Sequence, residues 1–429
     1  MHMRTRWLLT LLLSFALVAA ACGSDDADEA APAATTATTA APAATTAAPA
    51  ATTAAPAAVE PIIIGHSLAR SGWMQAYDEP VNDTARLAVD DINAAGGVLG
   101  RPLKIIDFDN KTDTQLSVSG AEQLLADGAH VLFLSGDIDV SGAAVALAEE
   151  RHVIAFPVEA SDYSAGLLGD YTYAMGLASN VQGSSGAEWA YENKGWRNGF
   201  VLADLTISIT KTAAQFFIER FEDLGGETGV ATFMNNDPSF ATQITAINNA
   251  DPAPEFIYMS SFVPGSASAL KQIRDAGITI PVLCQISCGE GIGWLEGVPN
   301  LGEFYYTNMG YIYSPGDPNP DLNALGERYL DVYGSRMEHS LDMTGYAAVQ
   351  LLAWAIEKAG STDSDAIKAA LNTANKVPTV LGEISMTPDF HMMYDYPVRM
   401  NEIVDGEHVF LQLWEPAVVN LTGEGLPDL

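Results

Sequence analysis

The 429-residue sequence predicts an α/β protein of two lobes, each built on a parallel sheet. Short β-rich apolar runs alternate with helical segments from about residue 62 onward, the pattern of parallel strands joined by covering helices. Hydrophobic residues make up 48% of the chain and charged residues 17%, a balance that supplies a core and excludes wholesale disorder. The length passes the ~250–300 residues at which single cores divide, so two lobes are expected.

The first strand is read at 62–65, where three isoleucines precede Gly65. A helix follows over 82–95, with Ala85, Leu87, Ala88, Val89 and Ile92 on its apolar side and Gly96-Gly97 ending it. The alternation runs on through strand 103–108, helix 117–127, strand 130–134, helix 142–150 and strand 153–156. It continues with helix 186–193, strand 199–203, helix 213–224, strand 255–259, helix 266–276 and strands 281–283 and 304–307. Helices at 322–333, 344–359 and 364–372 follow, and strands 398–403 and 409–414 flank Asp405-Gly406, a hairpin-turn dipeptide. In open parallel sheets ligands bind beyond the carboxyl ends of the strands, so the post-strand loops carry the functional argument.

Upstream of residue 59 the texture differs. Arg4 and Arg6 precede an apolar run over 7–21, and Ala19, Ala20 and Ala21 lead into Cys22-Gly23. This is the pattern of a bacterial lipoprotein signal peptide over 1–21 with Cys22 as the lipidated residue; simple signal cleavage is the other outcome. Residues 22–58 read as a disordered Ala/Thr/Pro-rich tether, extended at ~3.1 Å per residue, either a passive spacer or a glycosylated one. No later segment approaches ~20 continuous apolar residues, so the folded body is expected outside the cytoplasm, membrane-anchored through its lipid.

Asp and Glu total 54 against 20 Lys and Arg, a net charge of -34 that makes nucleic acid a poor partner. Cys284 and Cys288 flank Gln285-Ile286-Ser287, and in an oxidising compartment they are expected to form a local disulfide. With no histidine near that pair, no metal site is expected.

The segment from Ala85 through Asp90-Asp91-Ile92-Asn93 and Gly96-Gly97 to Arg101-Pro102 resembles the helix-plus-turn signature of the Leu/Ile/Val-binding (branched-chain amino acid) family of type I periplasmic solute-binding proteins of ABC importers. Asp204 in a strand-end loop, Leu224-Gly225-Gly226, the run 270–277, Gly345-Tyr346 and the run 355–362 match in order and spacing. The resemblance implies two Rossmann-like lobes joined by three crossovers, with lobe one at 59–178 and 310–387 and lobe two at 179–309 and 388–429. It also implies a monomer that closes by hinge motion on a small-molecule ligand and presents it to an ABC permease and its ATPase.

Carried onto this chain, the resemblance puts Ser71-Gly72 and the aromatic Tyr77 against the ligand, with Trp73 as an added ring. Trp73 and Tyr77 read equally as lobe-surface packing. In the loop 135–142, Ser141 is the expected donor to a ligand carboxylate, while Asp137 and Asp139 are unfavourable beside one and alternatively cap the following helix. In the loop 157–163, Ser161 remains a donor and Glu159 and Asp162 add negative charge. From the other lobe the candidates are Asp204, Ser208, Phe262 and Gln285. Gly265 stands where amino-acid-binding relatives carry the glutamate that pairs with the ligand ammonium. Acids where a carboxylate usually binds, and none where an amine does, point to a small polar solute: an amide, urea-like compound or amine, or an unusual amino acid.

An enzyme needs a nucleophile with its base or a metal constellation, and seven scattered histidines, most read as surface residues, supply neither. No catalytic residue and no cofactor is expected, since Gly96-Gly97 ends a helix instead of opening one after a strand. A ligand-sensing receptor subunit of the same fold is the alternative reading.

Overall fold

The computed structural model describes residues 59–291, 293–294, 297–298, 300–310 and 316–429. The expected signal peptide, the tether and Cys22 lie outside the described residues. Residues 58–429 form one compact unit.

Lobe one opens with β1 (Ile62–Leu68), in which every residue except Ile63 is buried, as befits a central strand covered on both faces. It alternates with α1 (Gln75–Ala94), β2 (Leu103–Asp109), α2 (Thr114–Ala126), β3 (Val131–Leu134), α3 (Ile138–Glu150) and β4 (Ala155–Pro157). The sheet order is β2-β1-β3-β4, all parallel, with Ile64 paired to Ile105 on one side and Val131 on the other.

Lobe two carries α4 (Ser179–Glu188), β5 (Asn198–Asp204), α5 (Ser208–Asp223), β6 (Glu227–Phe233), α6 (Ala241–Asn249) and β7 (Phe256–Ser260). It continues with α7 (Gly265–Asp275), β8 (Val282–Cys284), α8 (Ile286–Gly289) and β9 (Phe304–Asn308). The chain then returns for α9 (Pro320–Tyr333), α10 (Thr344–Ala359), α11 (Ser364–Leu371) and the pair β10 (Val377–Thr379) and β11 (Gly382–Ile384). Finally β12 (Val398–Val404) and β13 (Glu407–Trp414) complete a second sheet of order β13-β12-β9-β8-β7-β5-β6. The chain thus passes between the lobes three times, after β4, after β9 and before β12. Asp405 and Gly406 both hold positive φ, 53° and 84°, which the tight turn of the β12–β13 hairpin requires.

Several helices start earlier than their apolar periodicity suggests. α1 begins at Gln75, ahead of Pro80, because a buried Asp78 side chain accepts the Ala69 N–H and ties the first turn to the end of β1. α3 begins at Ile138, where the Asp137 side chain accepts the Asp139 N–H as the cap. α4 and α5 begin at Ser179 and Ser208. β6 and α6 have no counterpart in the sequence reading; β6 is an edge strand with only Phe233 fully buried, so it carries little apolar signal. Three histidines expected near the cleft or on the surface are instead buried. His66 stacks on Phe133 and His391 on Tyr173, while His408 bonds the Tyr306 hydroxyl. Cys284 and Cys288 are paired as a disulfide across the β8–α8 junction, their Cα atoms 5.9 Å apart.

Gly345, at the start of α10, fixes how closely that helix approaches α1. A Cβ there would collide with the Val81 carbonyl oxygen and stand 2.7 Å from Thr84 Oγ1. Backbone cannot swing aside as a side chain does, so Gly345→Ala is expected to lower the unfolding free energy by about 2 kcal/mol or more, read from the denaturant midpoint.

Candidate functional site

The carboxyl ends of the two sheets face each other. Lobe one contributes the start of α1, the turn before α3 and the segment after β4; lobe two contributes the start of α5 and the loops after β7 and β8. Between them lies a small chamber of about 70 Å³. Trp73, Met74, Tyr77, Ile138 and Leu341 wall it from one lobe, and Ile207, Ile209 and Phe262 from the other. Trp73, 48% exposed, faces Phe262 across the cleft with ring centroids 6.4 Å apart. The chamber opens into a wider groove lined by Met234, Asn235, Trp294, Glu290, His339 and Lys211, among others.

The polar lining is acidic. Asp137, Asp139, Glu159 and Asp162 all border the chamber, and no lysine or arginine does among the described residues. Burial pushes the Glu159 carboxyl well above the usual range, and the neighbouring Asp78 carboxyl adds to the effect. Burial also raises Asp78, partly offset by the hydrogen bonds it accepts from Ala69 and Ser135. Asp137 is pushed up to about 6 by burial and by the charges of Asp139 and Asp78. Glu290 reaches about 8 through burial, although Ser340 donates to it from both N–H and hydroxyl. Tyr77 lies against His339, ring centroids 4.6 Å apart and planes tilted by 33°, and is raised to about 12 by burial and then by Glu290 and Asp342. For His339 burial lowers the pKa, but the Asp342 side chain outweighs it and the net shift is upward.

Polar contacts cross the cleft. Ser208, first residue of α5, donates from N–H and Oγ to Asp139 at 3.1–3.2 Å. The Thr212 hydroxyl reaches Asp162 at 2.6 Å, and Glu290 of lobe two bonds Ser340 of lobe one. Exposed charge-assisted contacts of the Ser208–Asp139 kind contribute about 1 kcal/mol or less.

Of the residues singled out from sequence, Trp73, Tyr77, Asp137, Glu159, Ser161, Ser208 and Phe262 come together at the chamber. The other four do not line it, and each has an internal partner. Ser71 bonds Asp109 and shapes its turn. Ser141 lies inside α3 and bonds back to the Asp137 carbonyl, because the helix begins a turn earlier than expected. Asp204 is wholly buried, taking bonds from Asn235, Ser261 and the Thr206 N–H. Gln285 caps α8 through Ser287 and donates to the Ser261 carbonyl. At Gly265, a Cβ would sit 2.5 Å from Asn235 Nδ2 and 2.7 Å from the Asn235 carbonyl, so Asn235 holds the space a side chain would need.

Sequence reasoning missed Asp78, Glu290 and His339. Asp78 was visible as the position one turn ahead of the apolar stripe Val81, Ala85, Leu87, Ala88, had α1 been extended past Pro80. Glu290 and His339 carry no local signal, since they meet only when the lobes do.

Two α/β lobes with opposed strand ends and a chamber between them define a two-lobed solute-binding protein. Residues 61–407 match the periplasmic binding protein family, and the chain belongs to it. The Leu/Ile/Val-binding protein BraC3 of Rhizobium johnstonii is 24% identical over 342 residues, covering 76% of this chain and 87% of its own. The isoleucine complex of the branched-chain amino acid substrate-binding protein LivJ from Streptococcus pneumoniae shares the fold with a TM-score of 0.70 at 22% identity, covering 82% of this chain and 99% of its own. A benzoate-bound solute-binding protein from R. palustris does so with 0.69 at 18%, covering 84% and 98%.

The raised carboxyls set a pH dependence. A carboxyl whose folded pKa exceeds its unfolded value binds its proton more tightly in the folded state, so it favours folding below the folded pKa and loses that contribution as pH rises through it. For Glu290 the window lies between its ordinary 4.5 and about 8. The ligand-free protein is therefore expected to melt at a higher temperature at about pH 6.5 than at about pH 8. Glu290→Gln should flatten that slope in calorimetric scans.

Proposed function

We propose that this protein is the capture component of an ABC importer, tethered to the cell membrane by lipid on Cys22, and that its ligand is a small organic amine with an apolar body. The observation that carries the ligand class is the chamber itself: apolar walls, four acidic side chains and no lysine or arginine among its described lining. Two unit charges ~4 Å apart interact by about 4 kcal/mol at the effective dielectric of a partly solvated site. That magnitude opposes a ligand carboxylate beside Asp137 or Asp139 and favours an ammonium by a similar amount. Of the amino acid, amide and amine classes left open by the sequence, the amine fits best. An amino acid's own carboxylate would compete with Asp139 for the Ser208 donors. Hinge closure on the amine then creates the surface read by the permease.

Phenethylamine, with an aromatic body and one ammonium, is the first probe. At about a hundred times its Kd it should stabilise the protein by ~2.7 kcal/mol, seen as a raised Tm, with leucine and benzoate without effect. Stabilisation by leucine or benzoate but not by amines defeats the ligand assignment. Separately, Cys22→Ala is expected to move the protein from the membrane fraction to the soluble or unprocessed pool; unchanged processing and anchoring counts against lipidation.

A further inference from the structure

We propose that Glu159 is the seat for the ligand's charged group, that it shares one proton with the buried Asp78 carboxyl when the site is empty, and that the ligand's ammonium takes that proton's place. This rests on the amine reading above and adds to it a proton released on capture.

The geometry is asymmetric. Asp78 is wholly buried and already supplied with donors: the Ala69 N–H lies 2.6 Å from Oδ2 and the Ser135 hydroxyl 3.1 Å from Oδ1. The Gly136 N–H is a further donor to it. Glu159 is 4% exposed and borders the chamber, and among the described residues only its own backbone N–H stands as a donor to its carboxyl. Its carboxyl meets that of Asp78. With no other hydrogen available at that contact, a carboxyl proton must bridge the two groups, since two buried charges in contact are strongly disfavoured. The donors on Asp78 make it the ionised partner and leave the proton on Glu159.

Gly136 allows this placement. A Cβ at that position would stand 2.6 Å from Glu159 Cδ and 2.9 Å from Oε1, so bare backbone forms one wall of the Glu159 slot.

The surroundings reinforce the pair's demand for positive charge. Asp137 faces it from the turn before α3, Tyr77 from α1, and Asp342 from the 3₁₀ turn Ser340–Met343. His339 is turned to Asp342. Burial and the mutual repulsion of the carboxyls keep the proton in place above the usual carboxyl range.

On binding, an ammonium brings its own hydrogens to Glu159, and the bridging proton leaves to solvent. One charge replaces one charge, and nothing is oxidised or reduced. Uncharged amides cannot make the exchange, so the pair also selects cation over neutral isostere.

The test is calorimetric titration of the full chain with phenethylamine near neutral pH, in two buffers of different ionisation enthalpy. About one proton is expected to leave per amine bound, with affinity rising about tenfold per pH unit while the pair still holds its proton. Glu159→Gln, similar in size and checked for folding by its melting, should lose the proton release, and Glu159→Asp should restore it. Amine binding without proton release, or release that persists in Glu159→Gln, overturns the inference and leaves the amine reading standing. Failure of any amine to bind overturns both.

Discussion

The structure depends on burying carboxyl groups where two lobes meet. Taking a charge out of water is costly unless it is paired or neutralised, and this chain uses several remedies side by side. Asp78 is surrounded by backbone and hydroxyl donors at the end of β1. Glu159 has only its own backbone N–H. Glu290 relies on a single serine from the opposite lobe, and its carboxyl is held near neutrality by burial. Because these groups sit at strand ends, the sheets that fix them also fix the chamber, whose walls include the rings of Trp73, Tyr77 and Phe262.

Function in such a fold requires that closure be weakly favoured by itself. Contacts seen across the cleft among the described residues include Ser208 with Asp139, Thr212 with Asp162, Glu290 with Ser340, and the aromatic pairs Trp73–Phe262 and Tyr163–Phe216. Each is small beside the interaction of a bound ion with an acidic chamber. The lobes themselves are held by far larger apolar cores, with α1 against α10 at Gly345 and β1 covered on both faces. Rigid lobes joined by a soft interface make the ligand the deciding term.

Much of the scaffold was legible because strands buried on both faces read as apolar runs and helices announce their caps. The run at 62–65, the helix over 344–359 and the Asp405-Gly406 hairpin follow directly from such local signals. Edge strand β6 did not, since a half-exposed strand carries little pattern. Helix starts were read late wherever polar residues formed the first turn, and this displaced Ser141 from a loop into α3 and hid Asp78 behind Pro80.

The sequence by itself determined the α/β class, the acidic character of the post-strand loops and the replacement of a glutamate position by Gly265, because these are properties of local pattern and composition. Only the tertiary structure decided which acids face the chamber. Asp204 and Gln285 are consumed by neighbouring loops, while Asp137 and Glu159 border the chamber and Glu290 the groove beside it. The physical reason is that a carboxyl's role is set by its donors and its burial, and both are supplied by residues that sequence proximity does not reveal.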